Sequence, residues 1–203
     1  MRGFEHTILA SVIALIGSFV IGTLIAVFRI APVALLNWVG TAYVEFIRNI
    51  PLMLITLIFF IGFPALGITF SGFTAGTIAL SVYTAAFIAE SIRAGIQSIH
   101  QGQMEAARSS GMTYMQAMWH IILPQAIKVV IPPLGNQFIN LVKNSSVLGM
   151  VAGLDLMYFG DIIASDTFVT FDVYIFVGAF YLLLTIPLSL GVHYLERRLS
   201  RSH

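Results

Sequence analysis

Cysteine is absent from all 203 residues, which removes disulfides, thiolate metal sites and cysteine nucleophiles and leaves the compartment open. Charge is scarce as well: Asp, Glu, Lys and Arg make up 9% of the chain, against about 25% in a soluble domain. With 58% of residues hydrophobic, the chain reads as an integral membrane protein. A net charge of +1 points to no nucleic acid and to no acidic partner. No Lys follows a Gly, so the phosphate-cradling G-x-x-x-x-G-K-[ST] loop is missing, and this chain is not its own ATPase of that type. His6, His100, His120, His193 and His203 form no H-E-x-x-H and no pair at i, i+4, and no Ser-His-Asp set stands out. There is no internal repeat, no low-complexity tract and no linker between domains.

The chain does contain long apolar runs. Thr7 to Phe28 is an unbroken run of 22 residues, longer than a signal-peptide core and long enough to cross a bilayer as a retained first span. Four more segments have spanning character: Phe46 to Ala65, with Arg48, Asn49 and Pro51 at its entrance; Phe73 to Ile92; Ala117 to Val142; and Val173 to Leu195, with Pro187 as a kink. The fourth is interrupted by Pro124, Pro132, Pro133 and Gly135, which predicts a broken helix. Ser146 to Asp172 is Gly-rich and too polar for a sixth span, and is expected outside as short or re-entrant helices. The fold class is therefore all-α integral membrane with five transmembrane helices.

Charge distribution orients the spans. Arg29, Arg48, Arg93, Arg108, Arg197, Arg198 and Arg201 fall on one side; Asp155, Asp161, Asp166 and Asp172 fall on the other, in a loop with no Lys or Arg. The positive-inside rule then predicts a cytoplasmic C-terminus and an outer N-terminus.

Residues 98–124 form a polar stretch on the basic side. Within it stand Glu105, Ala106 and Ala107, then Gly111, and then Ile121, Leu123 and Pro124. Gln103 to Ser110 favours a short helix that Gly111 ends without a Cβ penalty. Thr113 and Gln116 read as a capping box opening a second helix. Met104, Met112, Met115 and Met118 recur near the helical period as one apolar stripe, suited to docking beside Glu105 and Arg108. An amphipathic loop on the membrane surface is the alternative.

The fourth span ends in Lys143, Asn144 and Ser145, a candidate polar lining for a transport path. A near-membrane ammonium is costly unless it has a partner or a cavity, so Lys143 is either an anchor or a ligand group. Asp161 is the candidate among the outer acids to meet a substrate ammonium; simple solvation is the competing reading. Glu90 with Arg93, and Glu45 with Arg48, stand at i, i+3 and are each expected to pair locally.

The Glu105–Pro124 spacing resembles the "EAA" loop of permease subunits of ATP-binding-cassette (ABC) importers, with every fixed position present. The runs EFIRNIPLMLITLIFF, AFIAESIRAGIQSIHQGQMEAARSSGM and LPQAIKVVIPPLGNQFINLVKNSSV are similar to the polar-amino-acid branch of that family. The resemblance implies a type I importer permease fold, one permease domain over residues 1–203, and a coupling loop over residues 98–124. It implies that Glu105, Ala106, Ala107, Gly111, Ile121, Leu123 and Pro124 couple to the ATPase. The implied partners are a cytoplasmic ABC ATPase dimer, a second permease that is identical or paralogous, an extracytoplasmic substrate-binding protein and an amino acid. No cofactor belongs to this chain, since ATP and Mg would sit on the ATPase, and the setting is a bacterial-type inner membrane crossed several times. A permease for another small solute, and an ATP-independent transporter or channel, are the rival readings. The latter should show mid-span charge relays or an internal repeat.

Overall fold

The computed structural model describes residues 2–200; Arg201 and His203 lie outside the described residues. Four helical stretches are long and apolar enough to cross a membrane: α1 (Arg2–Ile30), α4 (Gly72–Gln97), the continuous stretch Tyr114–Val151, and α9 (Thr170–Ser200), which qualifies over Thr170–Leu199. A bent pair, α2 (Ala34–Arg48) and Leu52–Leu66, which meet at 103°, is long and apolar enough to be a fifth crossing when taken as one span. Five crossings agree with the hydropathy reading, but the second differs in form. Its apolar run begins at Leu52 with α3 (Leu52–Leu57), and the preceding α2 is a separate helix that the hydropathy reading did not contain. Pro51 explains the break, because it lacks an amide hydrogen and drives Ile50 out of the helical region.

Two short π-helical segments share one cause. Ile58–Gly62 precedes Pro64, and Met118–Ile122 precedes Pro124. In each, the residue before the proline donates five residues back, Phe63 to the Ile58 carbonyl and Leu123 to the Met118 carbonyl. The wider turn is the means by which a helix passes a ring that would strike the carbonyl four residues earlier, Phe60 or His120. Pro124 therefore falls in the first turn of α7 (Leu123–Asn144) and breaks nothing. The broken fourth span is a further correction, since α7 runs through Pro132 and Pro133 as a helix. Only the carbonyls of Lys128 and Val129 lose their amide donors there. Gly135 is a packing residue rather than a break: a Cβ on it would stand 2.6 Å from Val192 Cγ2 of α9.

The centre is the α1–α4 pair. Gly3, Thr7, Ala10, Ala14, Ser18, Gly22, Ile25 and Arg29 recur every three or four residues along α1 and are buried. Opposite them α4 offers Ala75, Ala79, Ala85, Ala86 and Ala89. Small residues on both helices allow the close approach on which packing in lipid depends. Gly72 and Gly76 do the same for a 3-10 segment, Ser145–Val151, whose Val151 carbonyl a Cβ at Gly72 would strike.

Ser146 to Asp172 contains the rest of that 3-10 segment and α8 (Leu156–Thr167), a 12-residue helix too short to cross. It packs at the N-terminal ends of α1 and α9, where Phe4 meets Phe180 with ring centroids 5.8 Å apart. The N-terminal end of α1 and the C-terminal end of α9 thus lie at opposite ends of the bundle. Asp155 holds this region together. It is fully buried and accepts from the amides of Met157 at 3.2 Å and Tyr158 at 3.0 Å, and the Tyr181 hydroxyl donates to it at 3.3 Å. Burial raises its pKa above the ordinary carboxylate value, with the amide hydrogen bonds opposing that shift. The buried acid of this segment is therefore a helix cap, a role that composition does not reveal.

Candidate functional site

The polar loop is α5 (Gln101–Ser109), a sharp turn, and α6 (Tyr114–Ala117), which continues through the π segment into α7. His100 opens α5 by accepting the Gly102 amide on Nδ1 at 3.1 Å. At the far end Gly111 has φ +85°. Its amide donates to the Arg108 carbonyl at 3.0 Å, and the Met112 amide donates to the Ala107 carbonyl at 3.2 Å. This pair is a Schellman motif, which needs a residue at ease with positive φ. The expected capping box is present, with Thr113 Oγ1 accepting the Gln116 amide at 3.2 Å and Gln116 Oε1 accepting the Thr113 amide at 2.9 Å.

Glu105 and Ala106 are exposed on α5, while Ala107 is buried. Ile121 and Leu123 are half-buried in the helix that follows, and Pro124 is exposed. The methionines do not form one outer stripe. Met104 and Met118 line a cavity beneath the loop, whereas Met115 is exposed together with Trp119 and Tyr114. The exposed apolar surface of the loop's second helix is therefore supplied by Met115, Trp119 and Tyr114, the last of which also reaches the cavity. Met115 and Met118 stand three residues apart, about a sixth of a turn round the helix, which is enough to leave one outside and put the other on the cavity wall.

A second polar locus lies between α4 and α7. Gln137, Asn140 and Asn144 stand at i, i+3 and i+7 on α7 and face Tyr83, Thr84 and Phe87 across a cavity of about 160 Å3. Gln137 and Asn140 join Asn144 here although neither was a candidate lining residue in the sequence; their i, i+3, i+7 spacing was the available signal. Lys143 is exposed and has no ion-pair partner among the described residues. Ser145 belongs to the interior, fully buried, with Oγ donating to the Val142 carbonyl at 2.8 Å. Asp161 lies apart on α8 and accepts from the Tyr174 hydroxyl of α9 at 2.6 Å.

At the basic end of the bundle, Glu90 gathers three guanidiniums from three helices. Arg93 donates through Nη2 to Oε1 at 2.5 Å and through Nε to Oε2 at 3.2 Å. Arg29 of α1 donates to Oε2, and Arg48 of α2 reaches to 4.0 Å of the same atom. The Glu90–Arg93 pair is as expected. Glu45 and Arg48 do not pair; Arg48 turns to Glu90 and lies 5.4 Å over the Phe87 ring, where carboxylate and aromatic face both favour the cation. Phe87 also walls the polar cavity, so the charged hub and the polar face of α7 are neighbours.

Three comparisons bear on this architecture. The sequence model for "Binding-protein-dependent transport system inner membrane component" matches residues 18–201. The probable glutamine ABC transporter permease protein GlnM of Bacillus subtilis (strain 168) is 70% identical over 203 residues, covering 100% of this chain and 94% of that protein. The probable amino-acid ABC transporter permease protein YckA of the same organism is 36% identical over 181 residues, covering 89% of this chain and 80% of that protein. A crystal structure of an amino acid ABC transporter with histidines superposes with a TM-score of 0.92 at 38% identity, covering 97% of this chain and 92% of that one.

Proposed function

This chain belongs to the binding-protein-dependent transport system inner membrane components, and we propose that it is the permease subunit of an ABC importer for a polar amino acid, coupled through α5 to a separate ATPase. The observation that carries this reading is the loop itself. It presents one exposed carboxylate on a short helix fixed at both ends, beside an exposed apolar surface, at the basic end of a five-crossing bundle. That is a rigid knob suited to a groove on a partner. Residues 1–203 act as one permease domain whose coupling loop is 98–124, with Glu105, Ala106, Ala107, Gly111, Ile121, Leu123 and Pro124 at or supporting the contact. The partners are an ATPase dimer that holds ATP and Mg, a second permease, identical or paralogous, and an external substrate-binding protein. ATP-driven closure of the ATPases moves the docked loops, the crossings rock, and the path opens to the binding protein; hydrolysis reverses the motion. Co-purification of the chain with an ATPase, together with ATP-dependent uptake of labelled glutamine into vesicles, tests the reading; uptake unaffected by removing ATP would sink it.

The protein crosses the membrane several times, with the α5 loop and the C-terminus in the cytoplasm and the N-terminus outside. An impermeant label is expected to reach a tag before Met1 and to miss a tag after His203. Labelling of both from outside would reject the five-crossing orientation.

Gly111→Val is expected to weaken ATPase retention strongly, and Gly111→Asn much less. A Cβ at Gly111 meets nothing within 4 Å, so the penalty is the positive φ alone, about 1–3 kcal/mol for a β-branched residue. Equal ATPase retention by wild type and both variants would show that docking is indifferent to the turn.

The substrate path runs along α7. Gln137, Asn140 and Asn144 offer uncharged donors and acceptors suited to an amide side chain. Lys143, with no partner of its own, serves the carboxylate, with Ser145 bracing the helix end beside it, and Asp161, apart on α8 at the acidic end, meets the ammonium as the substrate enters. Lys143→Gln and Asp161→Asn are each expected to lower uptake about tenfold or more while leaving assembly and basal ATP hydrolysis intact. Uptake unchanged in both variants would remove these two residues from the path.

A further inference from the structure

A cavity of about 560 Å3 lies beneath α5, between the ends of α1 and α4, the first turn of α2 and the start of α6, within the usual range of about 300–1,000 Å3 for ligand pockets. Arg29, Asn37, Gln97 and His100 form much of its polar wall, with Ile96 and Met104 on the apolar side. The transport path does not use it.

Two residues of the polar wall, His100 and Gln97, offer donors whose acceptors are already engaged, while Asn37 spends one amide hydrogen on the Arg29 carbonyl. His100 Nδ1 accepts the Gly102 amide, which leaves the Nε2 hydrogen to donate. Gln97 Oε1 accepts from Arg93 Nη1 at 2.5 Å, which leaves its amide hydrogens. Arg29 is 8% exposed and engages Glu90 through Nη1; its Nε is buried behind the wall with no acceptor, so Arg29 brings charge to the cavity rather than a reachable donor. An orphaned guanidinium donor in the interior is costly. Next to the cavity Arg29, Arg48 and Arg93 share the single carboxylate of Glu90, so positive charge is in excess even with Glu45 counted. Spare donors with surplus cationic charge suit an oxyanion. The aliphatic side suits hydrocarbon, and the cavity lies where the crossings end. A molecule that joins both requirements is an anionic phospholipid.

We propose that this cavity binds the phosphate of an anionic phospholipid from the leaflet on the coupling-loop side, with the glycerol and first chain carbons along Ile96 and Met104. The proposal rests on the membrane placement given above and is independent of the substrate and the ATPase, because binding is read without transport. The full chain, in nanodiscs of phosphatidylcholine mixed equally with phosphatidylglycerol, is released for native mass spectrometry. The expected result is about a tenfold preference for retained phosphatidylglycerol. Gln97→Glu keeps an acceptor for Arg93 and adds negative charge to the wall, so it should abolish that preference without disturbing the fold. Equal retention of the two lipids by the wild type, or an undiminished preference in Gln97→Glu, overturns the proposal. Titration with inorganic phosphate separates the sources: lipid that stays bound supports the membrane as the source, and lipid that is displaced overturns it in favour of a soluble oxyanion. Preferential phosphatidylglycerol binding by a chain that fails to import would leave this site standing and remove the transport reading instead.

Discussion

Glu105→Lys is expected to leave the permease inserted and folded while ATP-driven uptake falls about a hundredfold or more. Glu105 is exposed on α5 and its carboxylate has no hydrogen-bond or ion-pair partner among the described residues, so the bundle loses nothing by the change. A docked surface loses much more. Reversing a charge that meets a partner replaces attraction with repulsion, and interface charges of this kind are worth about 2–5 kcal/mol. Each 1.4 kcal/mol is a factor of ten in binding, so assembly with the ATPase should fail before chemistry does. The check is ATPase recovered on the tagged permease, and uptake at matched membrane abundance. Near-normal uptake by Glu105→Lys would mean that α5 does not couple.

Glu90→Gln should show the largest loss of stability, about 3–5 kcal/mol, and a correspondingly low yield of intact transporter. The Arg29 side chain is only 7% exposed, so removing the carboxylate strands a buried cation and leaves Arg48 and Arg93 facing it. Thermal unfolding of purified protein measures this effect. Arg29→Gln combined with Glu90→Gln should recover much of the loss, because the double variant buries no unpaired charge. A single Glu90→Gln variant as stable as wild type would show that the carboxylate does not hold the hub. The hub joins α1, α2 and α4 through one carboxylate at the end from which α5 departs.

Much of the structure of the α5–α6 loop was legible in the sequence because its devices are local. A capping box needs Thr113 and Gln116 three residues apart, and a Schellman turn needs a glycine at Gly111; both involve partners within a few residues. The partner of Arg48 was misread for the opposite reason. Glu45 sits at the right spacing, but Glu90, 42 positions further along than Arg48, already holds Arg29 and Arg93 and has Phe87 beside it. The prolines were misread through a missing rule of phase. A π turn ahead of Pro64 or Pro124 lets the helix pass the ring, and it rotates the side chains that follow it.

Hydropathy and charge, which are properties of composition along a line, determined that this chain is a membrane protein of five crossings with a basic end and an acidic end. The spacing of Thr113, Gln116 and Gly111 determined the local shape of the α5–α6 loop, since helix caps and turns are set by near neighbours. Only the tertiary structure decided that Asp155 is a buried cap and that Asp161 is paired with Tyr174. Only it gathered Gln137, Asn140 and Asn144 against Tyr83, Thr84 and Phe87 of another helix. It alone left the Arg29 Nε without an acceptor beside a donor-rich cavity. Burial and partnership across helices depend on how whole crossings approach one another, and that approach is governed by small residues spread along α1 and α4 rather than by any contiguous motif.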